Sequence, residues 1–221
     1  MNFIDDWIDE LVSKIKDEFG DRVAFIGLQG SYQRKEASDS SDIDIVVILD
    51  ELAMRDLKKY RAIISQMPYK EKACGFISGR NEILCWEKSD LFQFYHDTRP
   101  IYGSLYDLLP LIDKADIKRA IKIGVCNLYH ACCHNLIYDN SSEILAALYK
   151  SAFFILQAKY FDETNQYISS KAEMLKHVEG IDKEILEICM ARDKVAKMDE
   201  ADLGLYYEKM ISWSSKLIQS Y

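Results

Sequence analysis

The sequence predicts an α+β fold: a layer of mixed strands and helices followed by an all-helical half. Three observations carry this. Two short β-branched runs, residues 23–28 and 43–49, alternate with helical periodicities in the first hundred residues. Beyond Pro110 every apolar pattern repeats at helical spacing. The chain is also 49% hydrophobic over 221 residues, enough for one good core or two small ones.

Each element has its own signal. Phe3, Ile4, Trp7, Ile8, Leu11, Val12 and Ile15 recur on one helical face, and Gly20 after Phe19 supplies a stop. The runs at 23–28 and 43–49 are apolar and bounded by polar or glycine-containing segments, the pattern of buried strands, with a polar loop over 29–41 between them. Residues 52–67 return to helical spacing and end at Pro68, and 72–77 reads as a third strand closed by Ser78 and Gly79. The order is α-β-β-α-β. Helical patterns then cover 117–138, 143–161, 171–178, 183–191 and 203–218. The change of character between Pro100 and Pro110 divides the chain into domains expected at 1–105 and 106–221.

Charge narrows the functions. Lys and Arg total 28 against 36 Asp and Glu, a net charge of -8, so the molecular field repels a phosphate backbone and nucleic acid is not the expected partner. A nucleotide held by a local basic patch, or a polycationic small molecule, fits that field better. Cys74, Cys85, Cys126, Cys132, Cys133 and Cys189 sit mostly in apolar runs, with no signal-peptide pattern ahead of them, and read as reduced, buried thiols. No apolar stretch approaches the ~20 residues that span a bilayer. A cytoplasmic protein without a membrane partner is expected.

One stretch carries chemistry: Gly30-Ser31-Tyr32-Gln33-Arg34, followed by Ser41-Asp42-Ile43-Asp44-Ile45. Side chains alternate along a strand, so Asp42 and Asp44 share a face, about 7 Å apart at the backbone. Two such carboxylates can hold one Mg²⁺ whose other ligands are triphosphate oxygens. Gly30 permits close approach of backbone to phosphate, and Ser31 adds a hydroxyl. Arg34 can reach the outer phosphates in fork geometry, with Lys35 a weaker candidate. Asp-x-Asp alone is common on surfaces and Gly-Ser alone is weaker still; the combination at strand ends is what is specific.

The set G-S-x-x-R, then S-D-I-D opening a strand, resembles the signature of the DNA polymerase beta-like nucleotidyltransferase superfamily over roughly residues 22–79. The segments Gly75-Phe76-Ile77-Ser78, Glu82-Ile83-Leu84, Trp86 and Pro100-Ile101-Tyr102, followed by helices, are similar to the layout of kanamycin nucleotidyltransferase and related antibiotic adenylyltransferases. The resemblance implies an N-terminal nucleotidyltransferase-type mixed sheet with flanking helices and a C-terminal helical bundle. It also implies nucleotide binding at Gly30, Ser31, Arg34 and Ser41, Mg²⁺ at Asp42 and Asp44, and an NTP, with ATP favoured, as co-substrate. Such enzymes usually carry a third carboxylate on the third strand, where this chain has Ala73, Cys74 and Gly75. Asp97, in Tyr95-His96-Asp97-Thr98, is the expected substitute, with a turn or cap role as the alternative.

His130 and His134 lie at i and i+4 on one helix, spacing that can share a metal, but core or cleft histidines are the more economical reading. His130 is also a candidate general base, since imidazole exchanges protons near neutral pH. Phe92, Phe94, Tyr95, Tyr102, Tyr149, Phe153 and Phe154 could stack a ring, and core packing is the simpler account. The expected function is Mg²⁺-dependent transfer of a nucleoside monophosphate from an NTP to a hydroxyl of a small molecule, an aminoglycoside-like polycation being compatible with the acidic surface. The alternative is a non-catalytic or antitoxin-like module of the same fold that binds a protein partner.

Overall fold

A computed structural model describes residues 3–39 and 41–221; Met1, Asn2 and Ser40 lie outside the described residues. The chain forms two compact units, divided between Leu111 and Ile112.

The first unit runs α1 (Phe3–Phe19), β1 (Val23–Gln29), a helical turn α2 (Gly30–Gln33), β2 (Ile43–Leu49), α3 (Met54–Ser65), β3 (Ala73–Gly79), α4 (Arg80–Leu84), α5 (Lys88–His96) and β4 (Arg99–Gly103), closed by a 3₁₀ segment, Tyr106–Leu111. The sheet order is β3-β2-β1-β4, with β2 parallel to β3 and both other pairs antiparallel. It is a mixed sheet, as the sequence predicts.

Alternation along the strands decides which face each residue serves. Ile43, Ile45, Val47 and Leu49 of β2 join Ile26 and Leu28 of β1 and the apolar stripe of α1, Trp7, Ile8, Leu11 and Ile15, in one buried cluster. That face is closed further by Ile63 and Met67 at the end of α3, and the Trp7 indole donates to the Pro68 carbonyl at 2.6 Å. The opposite face carries Phe76, whose ring meets Phe94 of α5 at 5.1 Å and Trp86 at 5.4 Å. Residues of β2 on this second face include Asp44, because its neighbours Ile43 and Ile45 point the other way.

Three elements were not legible in the sequence. The helices α4 and α5 are short, and β4 contains Pro100, which a strand tolerates only where one edge is unpaired. Here β4 pairs with β1 alone and forms the sheet edge.

The second unit contains α6 (Lys114–His134), a π-helical segment at Asn135–Asp139, α7 (Ser142–Thr164), α8 (Lys171–Met174), α9 (Gly180–Met190), α10 (Arg192–Val195) and α11 (Gly204–Ser220). Helix α7 is apolar nearly all round and buries Leu145, Tyr149, Phe153 and Leu156, as expected of a helix enclosed by others; it packs against α6, α9 and α10. Asn135 ties the bend after α6 to the rest, donating to the Ser141 carbonyl at 2.9 Å and to the Tyr207 hydroxyl at 2.7 Å. Trp213 of α11 donates to Asp182 at 2.7 Å, and Asp182 also accepts from Lys159 at 2.8 Å. No described helix is long and apolar enough to cross a membrane.

Candidate functional site

The hairpin-like pairing of β1 with β2 assembles the site. In that antiparallel register Asp44 faces Gln29, and in the parallel register with β3 it faces Cys74. Gly30 follows Gln29 directly, so the Gly-Ser turn and the carboxylates emerge at the same end of neighbouring strands. Asp42 is exposed just before β2 and Asp44 is half-buried within it, while Ile43 between them is fully buried. The two carboxylates therefore stand on the same side of the sheet.

Gly30 has φ +70°, a left-handed conformation that glycine adopts without the Cβ penalty. A Cβ added there would collide with Oδ2 of Asp44. The turn is thus seated against the Asp44 carboxylate, and only glycine leaves that space. From Gly30 the backbone closes on itself: the Arg34 N–H donates to the Gly30 carbonyl at 3.2 Å and the Glu36 N–H to the Ser31 carbonyl at 2.8 Å. Ser31 is half-buried at the start of the turn. The Ser41 hydroxyl accepts from the Ser38 N–H at 2.9 Å, shaping the loop that delivers Asp42.

Arg34 and Asp97 are brought together, with each other. Nη1 of Arg34 donates to Oδ2 of Asp97 at 2.6 Å, and its Nε lies 3.4 Å from Glu36. The side chains are only 5% and 9% exposed. Burial pushes the Asp97 carboxyl above its ordinary range, while the Arg34 guanidinium and the Gly30 N–H act in the opposite sense. The guanidinium expected at the outer phosphates is thus paired with Asp97, the carboxylate expected as the third acidic group of the site. Among the described residues no group of three or more His, Cys, Asp or Glu side chains could hold a metal ion.

The position opposite Asp44 on the third strand belongs to exposed Cys74, and Gly75 follows with a backbone so close to Ile45 that any Cβ would meet the Ile45 carbonyl. His130 lies in the second unit, exposed, its ring centroid 6.2 Å from that of His134. Of the aromatic residues considered for stacking, Phe92, Tyr149 and Phe153 are core side chains. Two residues that shape the site escaped sequence reasoning. Gln29 and Thr98 are joined by a 2.6 Å hydrogen bond, and only the register of distant segments reveals either.

A family model described as Nucleotidyltransferase domain matches residues 8–122, more than half of the chain. The chain belongs to the nucleotidyltransferase domain family. The matched span includes the whole sheet and every residue of the Gly-Ser turn and carboxylate pair. A curated protein of Methanocaldococcus jannaschii, named Putative protein adenylyltransferase MJ1305, is 38% identical over 56 residues, which is 25% of this chain and 38% of that one. The chain therefore spans well under half the length of this curated relative. Among solved structures, spectinomycin adenyltransferase AAD(9) from Enterococcus faecialis, determined with ATP and spectinomycin, superposes with a TM-score of 0.55 over 97% of this chain and 98% of that one at 14% identity. At that identity the likeness is one of fold: a nucleotidyltransferase sheet followed by helices.

Proposed function

We propose that this nucleotidyltransferase-family protein transfers a nucleoside monophosphate, from ATP in the first instance, to a hydroxyl of a small cationic molecule. The observation that carries the reading is the seating of Gly30 against Asp44, with Asp42 on the same face: a left-handed turn that glycine adopts without strain, packed directly against one member of a carboxylate pair.

The donor set fits Mg²⁺. Asp42 and Asp44 would offer oxygen ligands from one side, with Gly30 lacking the Cβ that would displace the Asp44 carboxylate, and phosphate oxygens would supply the remaining ligands. A bound Mg²⁺ would supply Lewis-acid polarisation of the α-phosphate and neutralise charge on the departing pyrophosphate. The chain's own part is to hold the carboxylates by burying Ile43 and Ile45 on either side of Asp44, and to present the turn at Gly30 and Ser31 to the phosphates. Ser41 fixes the loop before Asp42. The net charge of -8 favours a polycationic acceptor of the aminoglycoside type.

A second reading has one observation in its favour. Cys74 occupies the strand position opposite Asp44 where the resemblance leads one to look for a third carboxylate. A chain that binds nucleotide without transferring it, and acts as a partner-binding module, accommodates that substitution. The separating experiment incubates the protein with α-labelled ATP, Mg²⁺ and a panel of hydroxyl acceptors including aminoglycosides, and follows label and pyrophosphate. Transfer to an acceptor supports the enzyme; tight Mg·ATP binding with neither product gives the lead to the binding module.

A further inference from the structure

We propose that Asp97 and Thr98, at the corner between α5 and β4, are positioning residues for the nucleotide site: they clamp both ends of the turn over residues 30–34 and so set Gly30 against the Asp44 carboxylate. The inference rests on the nucleotide-binding reading of that turn.

Thr98 holds the near end. Its hydroxyl accepts from Gln29 Nε2 at 2.6 Å while donating to the Phe94 carbonyl at 2.5 Å, so both its roles are used and its orientation is fixed. Its methyl group fills the space above Gly27, where an added Cβ would lie 2.6 Å away. Gln29 is the register partner of Asp44 and the residue before Gly30. Asp97 holds the far end through the 2.6 Å contact with Arg34, and also feels the Gly30 N–H. Arg34, Asp97 and Thr98 are all buried, at 9%, 6% and 6% exposure.

A buried ion pair is a poor stability device, because desolvation offsets most of the attraction; fixing one arrangement over others is its better-attested use. Here the arrangement concerns segments more than sixty residues apart, one of which ends at the carboxylate site. The corner acts through the turn.

The test compares the full-length parent with Asp97→Asn, Thr98→Val and the double variant Arg34→Met with Asp97→Leu. Hydrogen exchange is read over residues 30–36 and over α1, and Mg·ATP affinity is measured by calorimetry. Asp97→Asn is expected to lower protection over 30–36 and to weaken Mg·ATP binding by tenfold or more each, with α1 unchanged; Thr98→Val shifts both in the same direction by less. Unchanged exchange over 30–36 overturns the clamp. Tighter Mg·ATP binding in Asp97→Asn also overturns it, since a released guanidinium would then be a direct phosphate ligand. Should Asp97→Asn fail to fold, the double variant, which replaces the pair by apolar groups, carries the test: parental protection and affinity in it refute the proposal, and losses support it. A parent that binds no Mg·ATP removes the nucleotide reading, and the exchange data alone then decide whether the corner holds the turn.

Discussion

Gly30 leaves the Asp44 carboxylate a space that any other residue would fill. Its φ of +70° and the Asp44 oxygen occupying its would-be Cβ position mean that Gly30→Ala must strain the backbone and displace the carboxylate. The strain costs about 1–2 kcal/mol. We expect a modest fall in thermal midpoint and at least a tenfold loss of Mg·ATP affinity by calorimetry; parental affinity would separate the turn from the nucleotide site. The carboxylates allow a cleaner test, because Asp→Asn keeps shape and removes charge. Asp42→Asn with Asp44→Asn is expected to fold as the parent does and to lose the Mg²⁺ dependence of ATP binding. Unaltered Mg·ATP binding in that double variant would refute the metal assignment.

At the scale of elements, what fixes the start of β1 to α3 is Arg22. Its Nη1 lies 2.8 Å from Oδ1 of Asp56, its Nη2 donates to Asp56 Oδ2 at 3.1 Å and to the Glu51 carbonyl at 2.7 Å, and its Nε donates to Asp50 at 3.0 Å. Asp56 also accepts from the Ala53 N–H at 3.0 Å, ordering the first turn of α3. The Arg22 hydrogen bonds, with that amide, hold the Asp56 carboxyl well below the usual carboxylate range. A carboxyl depressed in the folded state adds stability above its unfolded pKa, near 3.9, and that stability is lost as pH falls through the folded value. Urea midpoints of the parent should therefore decline below about pH 4. Asp56→Asn should be less stable at pH 7 and lose less on acidification; equal slopes for both proteins would show that the network contributes nothing to acid sensitivity.

For the molecule as a whole, the acidic balance has a direct consequence. A net charge of -8 opposes counterion-release binding to duplex DNA. Fluorescence polarisation with labelled duplex at about 0.15 M salt is expected to show no saturable binding below micromolar protein, and a tight salt-dependent complex would reject the small-ligand reading. Each unit has its own buried core, the first built on Ile26, Ile45 and Leu11, the second on Tyr149, Phe153 and Trp213. The two units divide between Leu111 and Ile112, and the segment Tyr106–Leu111 packs on α5 within the first.

The sequence by itself determined the mixed-sheet-then-helices order, the Gly-Ser turn and the carboxylate pair, because strand alternation, helical spacing and glycine's conformational freedom are local properties that single residues express. Short α5 and edge strand β4 were hidden: nine residues of weak amphipathicity and five containing a proline carry little periodic signal. Which side chain each charged residue would meet was not local at all. Arg34 and Asp97 each look like a ligand group when read along the chain, and only the folding of α5 back over the end of β1 puts them 2.6 Å apart. The same holds for Gln29 with Thr98, and for Cys74 opposite Asp44. Register between strands distant in sequence is set by the packing of both sheet faces, and that is decided by the tertiary structure.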